Sequence, residues 1–264
     1  MIFAAPLPFA EAIASRAVKQ LLPTVFRTKE LATIPAQLRE RAMFSAGVTN
    51  AEHLQDFSDK IDALLNGQTD RATARAELKK AIGPLGGGEV VATDLTDIRS
   101  DARLNLILDT NLQQAQGYGG WMQGQDPAVL DQWPAQELVR VIDSKKPRDW
   151  AARWAEAGGV FYAGRMIALK NDPIWTRISR FGTPYPPFDF NSGMDVDDID
   201  RDEAIDLGLI DRDTELFPQS RDFNTDLQAS PEVRAASLQA ALIESLEGLG
   251  QWVGGVLKFT GGNN

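Results

Sequence analysis

Residues 171–210 read NDPIWTRISRFGTPYPPFDFNSGMDVDDIDRDEAIDLGLI, and this stretch decides how the rest of the chain is read. It puts an Asp-Pro-x-Trp turn, a proline-stiffened aromatic loop and a dense acidic run into one segment. It holds no His, no Cys and no nucleophile with an obvious base beside it. The composition is that of a segment built to hold a shape.

The charge of the whole chain is concentrated around the same place. Of 264 residues, 37 are acidic and 27 basic, for a formal net charge of −10. Residues 189–226 carry 13 of the acids and 3 of the bases, so the excess sits in that segment and the remainder is balanced. Such a strip is either a solvated face or a surface for a basic partner. Backbone phosphates are bound by clustered Lys and Arg, and here no cluster exceeds Lys79-Lys80 or Lys145-Lys146. Strong direct binding to nucleic acid is therefore not expected.

Chemistry is narrowed further by what is missing. Cysteine is absent, which removes disulfides and thiolate zinc sites. His53 is the only histidine, so multi-histidine metal sites are excluded, and it reads as a surface or capping residue near a helix start. DVDDIDRDE suggests a calcium loop but lacks Gly at the sixth position and Glu at the twelfth. No cofactor and no metal are expected. The apolar N-terminus lacks a preceding basic residue and is broken by Glu11, so neither a signal peptide nor a membrane span is expected, and synthesis in the cytoplasm is.

Apolar periodicity predicts helices over 8–22, 29–46, 50–66 and 70–82, the third with a stripe of Leu54, Phe57, Ile61 and Leu64. Thr69 or Asp70 caps the fourth, and Gly83-Pro84 ends it. Residues 1–83 thus form a helical N-terminal region, and the GPLGGG run within 83–88 opens a glycine-rich hinge at 84–95. A long central helix is predicted over 96–117, with Asn111 buried on its apolar face and fixing a loop. Strands are predicted over 137–142, 164–170 and 195–199. Between the first two, a short helix places Trp150 and Trp154 on one face as a plug for the sheet. Asp200 and Glu203 read as a capping-box pair. The fold class is α+β, predominantly α-helical, with an α+β domain over 96–212.

Residues 213–264 read as an irregular segment followed by a C-terminal helix opened by Ser230-Pro231. Leu242, Leu246, Leu249, Val253 and Val256 alternate at spacings of four and three, which makes a docking seam for the protein's own body or for a partner.

With these elements in place, a resemblance becomes legible. Arg103-x-x-Leu106-Ile107-x-x-Thr110-Asn111-x-x-x-Ala115 resembles the signature helix of the tailed-phage head-morphogenesis family, the minor head proteins similar to protein F of phage Mu. That helix is followed in the family by an Asp-Pro-x-Trp-like element, here Asp172-Pro173-Ile174-Trp175. A Pro-Pro-x-x-x-Asn loop comes next, here Pro186-Pro187 through Asn191. The resemblance spans about 101–210. Many relatives continue into a Cys-x-Cys turn with a His upstream, whereas this chain has Ser192-Gly193-Met194 and no such His, so only the scaffold carries over.

The resemblance implies a non-catalytic structural protein of the virion head. It would bind portal or major capsid protein during head assembly and DNA packaging, and form an oligomer on a ring partner. Arg103, Thr110, Asn111, Asp172, Pro173, Trp175, Pro186, Pro187 and Asn191 are its scaffold residues, with no catalytic residue among them. Two alternatives stay open. One is a virion-associated cell-wall hydrolase using Asp189 with Asp195, or Glu203 with Asp206, as acid and base. The other is a helical adaptor outside any virion.

Overall fold

The computed structural model describes residues 10–17, 19–21, 42–43, 51–83, 89–143, 147–219, 228–229, 240, 250–253 and 256–259. The glycine run 84–88 and the seam residues Leu242, Leu246 and Leu249 lie outside them, as does Ser230-Pro231. Contacts divide the chain into two compact units. The first is built mainly from 13–112 together with residues from 221 on, and the second from 113–220 with the short piece 9–12. The division falls between Leu112 and Gln113, within the long helix.

The first unit is mainly helical. Helix α1 (Ala10–Ala17) is followed by β1 (Gln20–Leu21), which pairs in parallel with β2 (Ala42–Met43). Both strand pieces fall where helices were expected, because short apolar runs fit a paired strand as well as a helical turn. Helix α2 (Ala51–Leu65) buries Leu54, Phe57 and Ile61 completely. Its fourth buried position is Leu65 rather than Leu64. In α3 (Arg71–Ile82), Ala74, Leu78 and Ile82 recur every four residues and are buried. The Asp70 carboxylate caps α3 by accepting from Ala72 N at 2.8 Å and Thr73 N at 3.0 Å. The Thr73 hydroxyl and backbone together hold that carboxyl below the usual range.

Helix α4 (Asp101–Gly124) starts later and ends later than its sequence pattern predicts. Thr96 belongs instead to a turn closed by Asp94, whose Oδ1 accepts Thr96 N at 2.7 Å. Fully buried Ser100 is the cap, its Oγ accepting Arg103 N at 3.0 Å. The start of α4 is laced to α3 by Lys79–Asp101 at 2.9 Å, Arg75–Asn105 at 3.2 Å and Arg71–Asp109. Burial pushes the Asp109 carboxyl up, against the pull of Arg71.

The C-terminal helix is corrected where its residues are described. Val253 lies in β8 (Gly250–Val253) and Val256 in β9 (Val256–Phe259), an antiparallel pair with Val253 opposite Val256. Strand β7 (Gln228–Ala229) pairs with β9 on the other side. Trp252, Val253, Val256, Leu257 and Phe259 are strand formers, and Gly254-Gly255 between them is a two-residue hairpin link in sequence. The three-residue spacing that suggested a heptad is the spacing across that link.

The second unit is organised on a four-stranded sheet. Its strands are β3 (Ala135–Arg140), β4 (Phe161–Tyr162), β5 (Arg165–Leu169) and β6 (Met194–Ile199), in the order β4-β5-β3-β6 and antiparallel throughout. Because side chains alternate across a strand, the sheet has two distinct apolar faces. Leu138, Ala168 and Met194 meet Trp150 and Trp154 of α6 (Trp150–Glu156), together with Ile174, Trp175 and Ile178 of α7 (Ile174–Ile178). Ala135, Ile167 and Ile199 on the other face meet Ala204 of α8 (Arg201–Asp206) and Ile210.

The expected tryptophan plug is thus in place: Trp150 and Trp154 are buried, and Trp154 donates from Nε1 to Val160 O at 2.9 Å. The short helix α5 (Pro127–Gln132) links α4 to β3, with Asp126 as its cap. Asp200 caps α8 by accepting Glu203 N at 2.8 Å. The Glu203 carboxylate, however, goes to Arg165, which also binds Glu137, so only half of the capping box forms.

Candidate functional site

The loop over 183–193 is held by packing and by one carboxylate. Ser179 Oγ accepts Phe181 N at 3.2 Å and Thr183 N at 3.3 Å, and Thr183 Oγ1 donates to Tyr185 O at 3.1 Å. The Pro186–Pro187 peptide bond is cis. On one side Tyr185 meets Tyr118 edge-on at 5.7 Å, and on the other fully buried Phe188 stacks on Trp175 at 5.9 Å. Trp175 in turn meets Trp154 edge-on at 5.3 Å. Such aromatic pairs each add about 0.5–1.5 kcal/mol beyond the area they bury.

Asp189 follows directly and is only 5% exposed. Three guanidinium groups converge on it: Arg153 at 3.0 Å, Arg148 at 3.4 Å and Arg180 at 3.6 Å. Its Oδ1 also accepts Phe190 N at 2.8 Å. Arg148 spans further, donating to Phe190 O at 2.7 Å and Asn191 O at 3.4 Å. The loop ends with Asn191 at φ 48° and Gly193 at φ 64°, and a Cβ at Gly193 would overlap the Ile142 carbonyl oxygen. Gly193 O accepts from Val141 N at 2.9 Å and Ile142 N at 3.1 Å, which joins the loop to the end of β3.

The motif residues of the resemblance divide between the two units. Arg103, Thr110 and Asn111 stand on the part of α4 that belongs to the first. There Thr110 is buried, and the Arg103 backbone takes the Ser100 cap. Asn111 was expected to fix a loop. Instead its Nδ2 donates to Ile107 O at 2.9 Å, the carbonyl one turn back in its own helix.

The other motif residues come together in the second unit. Asp172 Oδ1 accepts Ile174 N at 2.7 Å and opens α7, with Pro173 at the N-cap position. Trp175 is fully buried and donates from Nε1 to Leu169 O at 2.8 Å. Pro186, Pro187 and Asn191 stand on the loop that closes over it.

Beside this loop lies a groove of about 780 Å³. One wall is the final part of α4, where Gln113, Gln116, Gly117, Gly120, Gln123 and Gly124 all face it. Gly117 is the last residue of the helix predicted over 96–117. Its role is close approach: the Pro186 carbonyl oxygen would overlap a Cβ there, so the helix runs on past it. The opposite wall is Tyr185, Pro186 and Pro187, followed by 192–198. Apolar Trp133, Val141 and Ile142 at its margin are 41%, 55% and 58% exposed, more than burial in a core would leave them.

Polar groups along the groove are unevenly satisfied. Lys170 is 4% exposed and bonds Asp198 at 2.8 Å. Gln125 Oε1 accepts Gln219 N at 2.7 Å, but its Nε2 is buried without an acceptor among the described residues, and so is Trp121 Nε1. Asp195 is exposed on β6, yet its carboxyl is pushed above the usual range. Partial exclusion of water is the main cause and the Asp197 charge adds to it, while donation from Val196 N opposes it.

One carboxylate of each pair weighed as acid and base is otherwise engaged. Asp189 is surrounded by arginine and Glu203 is bound to Arg165. Among the described residues no group of three His, Cys, Asp or Glu is placed to hold a metal ion, and no helix is long and apolar enough to cross a membrane.

The helix wall was the part of the site that sequence reading missed. Its signal was present as three glycines, Gly117, Gly120 and Gly124, at helical spacing among glutamines. No family model, no curated protein and no solved structure matches this chain.

Proposed function

We propose that this chain is a non-catalytic structural protein of a tailed-phage head, which binds portal or major capsid protein during head assembly and DNA packaging. The observation that carries the reading is how the chain uses its motif residues. Trp175 is buried with its one polar atom satisfied, and Pro186 packs its carbonyl against Gly117. Asp189 is neutralised by three arginines. Residues spent on holding a loop suit a scaffold, and an acid–base site needs carboxyls left free to exchange protons. The acidic run then offers a surface to the basic rim of a ring-shaped partner, on which the chain would form an oligomer.

Co-expression with the portal and major capsid proteins of the same genome tests this. Co-sedimentation with portal rings or capsid shells is expected, weakening as salt is raised because exposed charge contacts are screened. No association with either partner at low salt overturns it. The hydrolase alternative draws on Asp195, a raised carboxyl in a groove. Clearing of purified cell wall by the protein, abolished in Asp195→Asn, would replace the proposal.

A further inference from the structure

We infer that the free edge of β6 and the groove beside it bind an extended, lysine- or arginine-bearing segment of a partner protein, which adds to the sheet as a fifth strand. The inference is independent of head assembly, since any partner presenting such a segment satisfies it.

Three observations carry it. First, β6 is the last strand in the order β4-β5-β3-β6, and no described strand pairs with its outer side. Residues 192–198 all line the groove. Neighbouring side chains of a strand point to opposite faces, so one cavity meets consecutive residues only along the strand's edge. The edge therefore opens on the groove.

Second, two outward N–H groups are occupied by local stand-ins. Val196 N donates to the carboxylate of the preceding residue, Asp195, at 2.9 Å, and Met194 N donates to Ser192 Oγ at 3.2 Å. Both residues lie opposite β3 partners, Leu138 and Arg140, yet their N–H groups turn to side chains. An antiparallel strand alternates between bonds to one neighbour and to the other, so these N–H groups belong to the outer row. An arriving backbone carbonyl replaces Asp195 at Val196 N and frees the carboxylate for a cation.

Third, the lining chemistry is complementary to such a segment. Asp195 and Asp197 are exposed along the edge with no cation paired to them among the described residues, whereas Asp198 already has Lys170. Trp121 and Gln125 are more than nine-tenths buried, line the groove, and hold donors that lack an acceptor among the described residues. Peptide carbonyls are acceptors of the right kind. Main-chain bonds along the edge supply affinity, and alternate side chains supply selectivity. Acidic residues on an exposed edge also deter self-pairing, because a second copy brings the same charge, and this favours a basic partner over another β6.

The test uses the full chain and fluorescein-labelled octapeptides, read by fluorescence anisotropy. An alternating Lys-Val peptide is expected to bind. An alternating Glu-Val peptide, and a Lys-Val peptide N-methylated at every second residue, are each expected to bind at least about tenfold more weakly. Asp195→Asn with Asp197→Asn should lower affinity for the first peptide by about tenfold. Gly120→Leu should abolish binding: a Cβ at Gly120 meets nothing within 4 Å, so the substitution fills the groove without straining the helix. Equal binding of the N-methylated peptide would mean charge attraction without strand addition, and would overturn the inference. So would unaltered binding to Gly120→Leu, or no binding of the Lys-Val peptide at low salt. The N-methyl comparison stands even if a variant folds poorly, because it leaves the protein unchanged.

Discussion

Asp189 and Asp195 lie six residues apart in one acidic run, and the protein treats them in opposite ways. The first is buried, ringed by Arg148, Arg153 and Arg180, and bonded to the backbone of its own loop. The second stands exposed on an edge strand, with a neighbouring Asp197 and, among the described residues, only the Val196 N–H as a hydrogen-bond partner. Identical side chains thus serve architecture in the loop and availability on the strand. What separates them is the supply of partners. Burial of a carboxylate is tolerable when cations and N–H groups surround it, and an unpartnered one must stay near water.

The sharpest way to break this contrast is to remove the loop's carboxylate. Asp189→Ala takes the buried acceptor away from three partly exposed arginines and from Phe190 N, and should cost about 2–3 kcal/mol in chemical denaturation, the range for losing charge-assisted hydrogen bonds. A smaller loss would mean the arginines reach solvent unaided, and that Asp189 is closer in kind to Asp195.

Next is the contact between helix and loop. Gly117→Ala puts a methyl group into the Pro186 carbonyl and should destabilise by about 1–3 kcal/mol, as overpacking does. Gly120→Ala, one turn on and facing open groove, should instead gain up to about 1 kcal/mol from helix propensity. Thermal melts of the two variants should therefore shift in opposite directions. Shifts of the same sign would show that the loop does not press on the helix.

The smallest effect belongs to the exposed acid. The Asp195 carboxyl is raised in the folded chain, so the folded state binds that proton more tightly than the unfolded one. Its contribution to stability is full below the unfolded pKa and is lost as pH rises through the folded value. Asp195→Asn should therefore be slightly more stable than the parent at neutral pH, within about 0.5 kcal/mol. The advantage should vanish as the pH falls into the carboxylate range. Denaturation at pH 7 and at pH 4 checks the sign, and a variant less stable at pH 7 would contradict it.

Much of the fold was legible because it rests on local rules. Asp70 and Asp200 mark helix starts through side chains that reach N–H groups three residues away, which sequence spacing reports directly. The stripe of α2 and the pair Trp150 and Trp154 follow from helical period alone. The misreadings have a common cause. The predicted end of α4 at Gly117 fell short because the neighbour that explains this glycine, Pro186, is far along the chain. Val253 and Val256 matched a heptad because a two-residue link between strands imitates that spacing. Asn111 shared an apolar face, yet its bond closes within its own helix.

The candidate site was half legible. Its proline loop, tryptophan turn and acidic run were conspicuous in 171–210, but the glutamine and glycine wall of α4 was not joined to them. A groove exists only once two distant segments face each other, and period and composition carry no information about that meeting.

By itself the sequence determined the buried stripe of α2, the caps at Asp70 and Asp200, the tryptophan pair of α6, that the class is α+β, and that the acidic excess is local. Those outcomes depend on neighbours within a few residues. Only the tertiary structure decided that one aspartate of the acidic run is buried under three arginines while the next lies on an open edge. That outcome depends on which segments arrive around each carboxylate, and they come from separate parts of the chain: Arg148, Arg153 and Arg180 around Asp189, and no comparable set around Asp195.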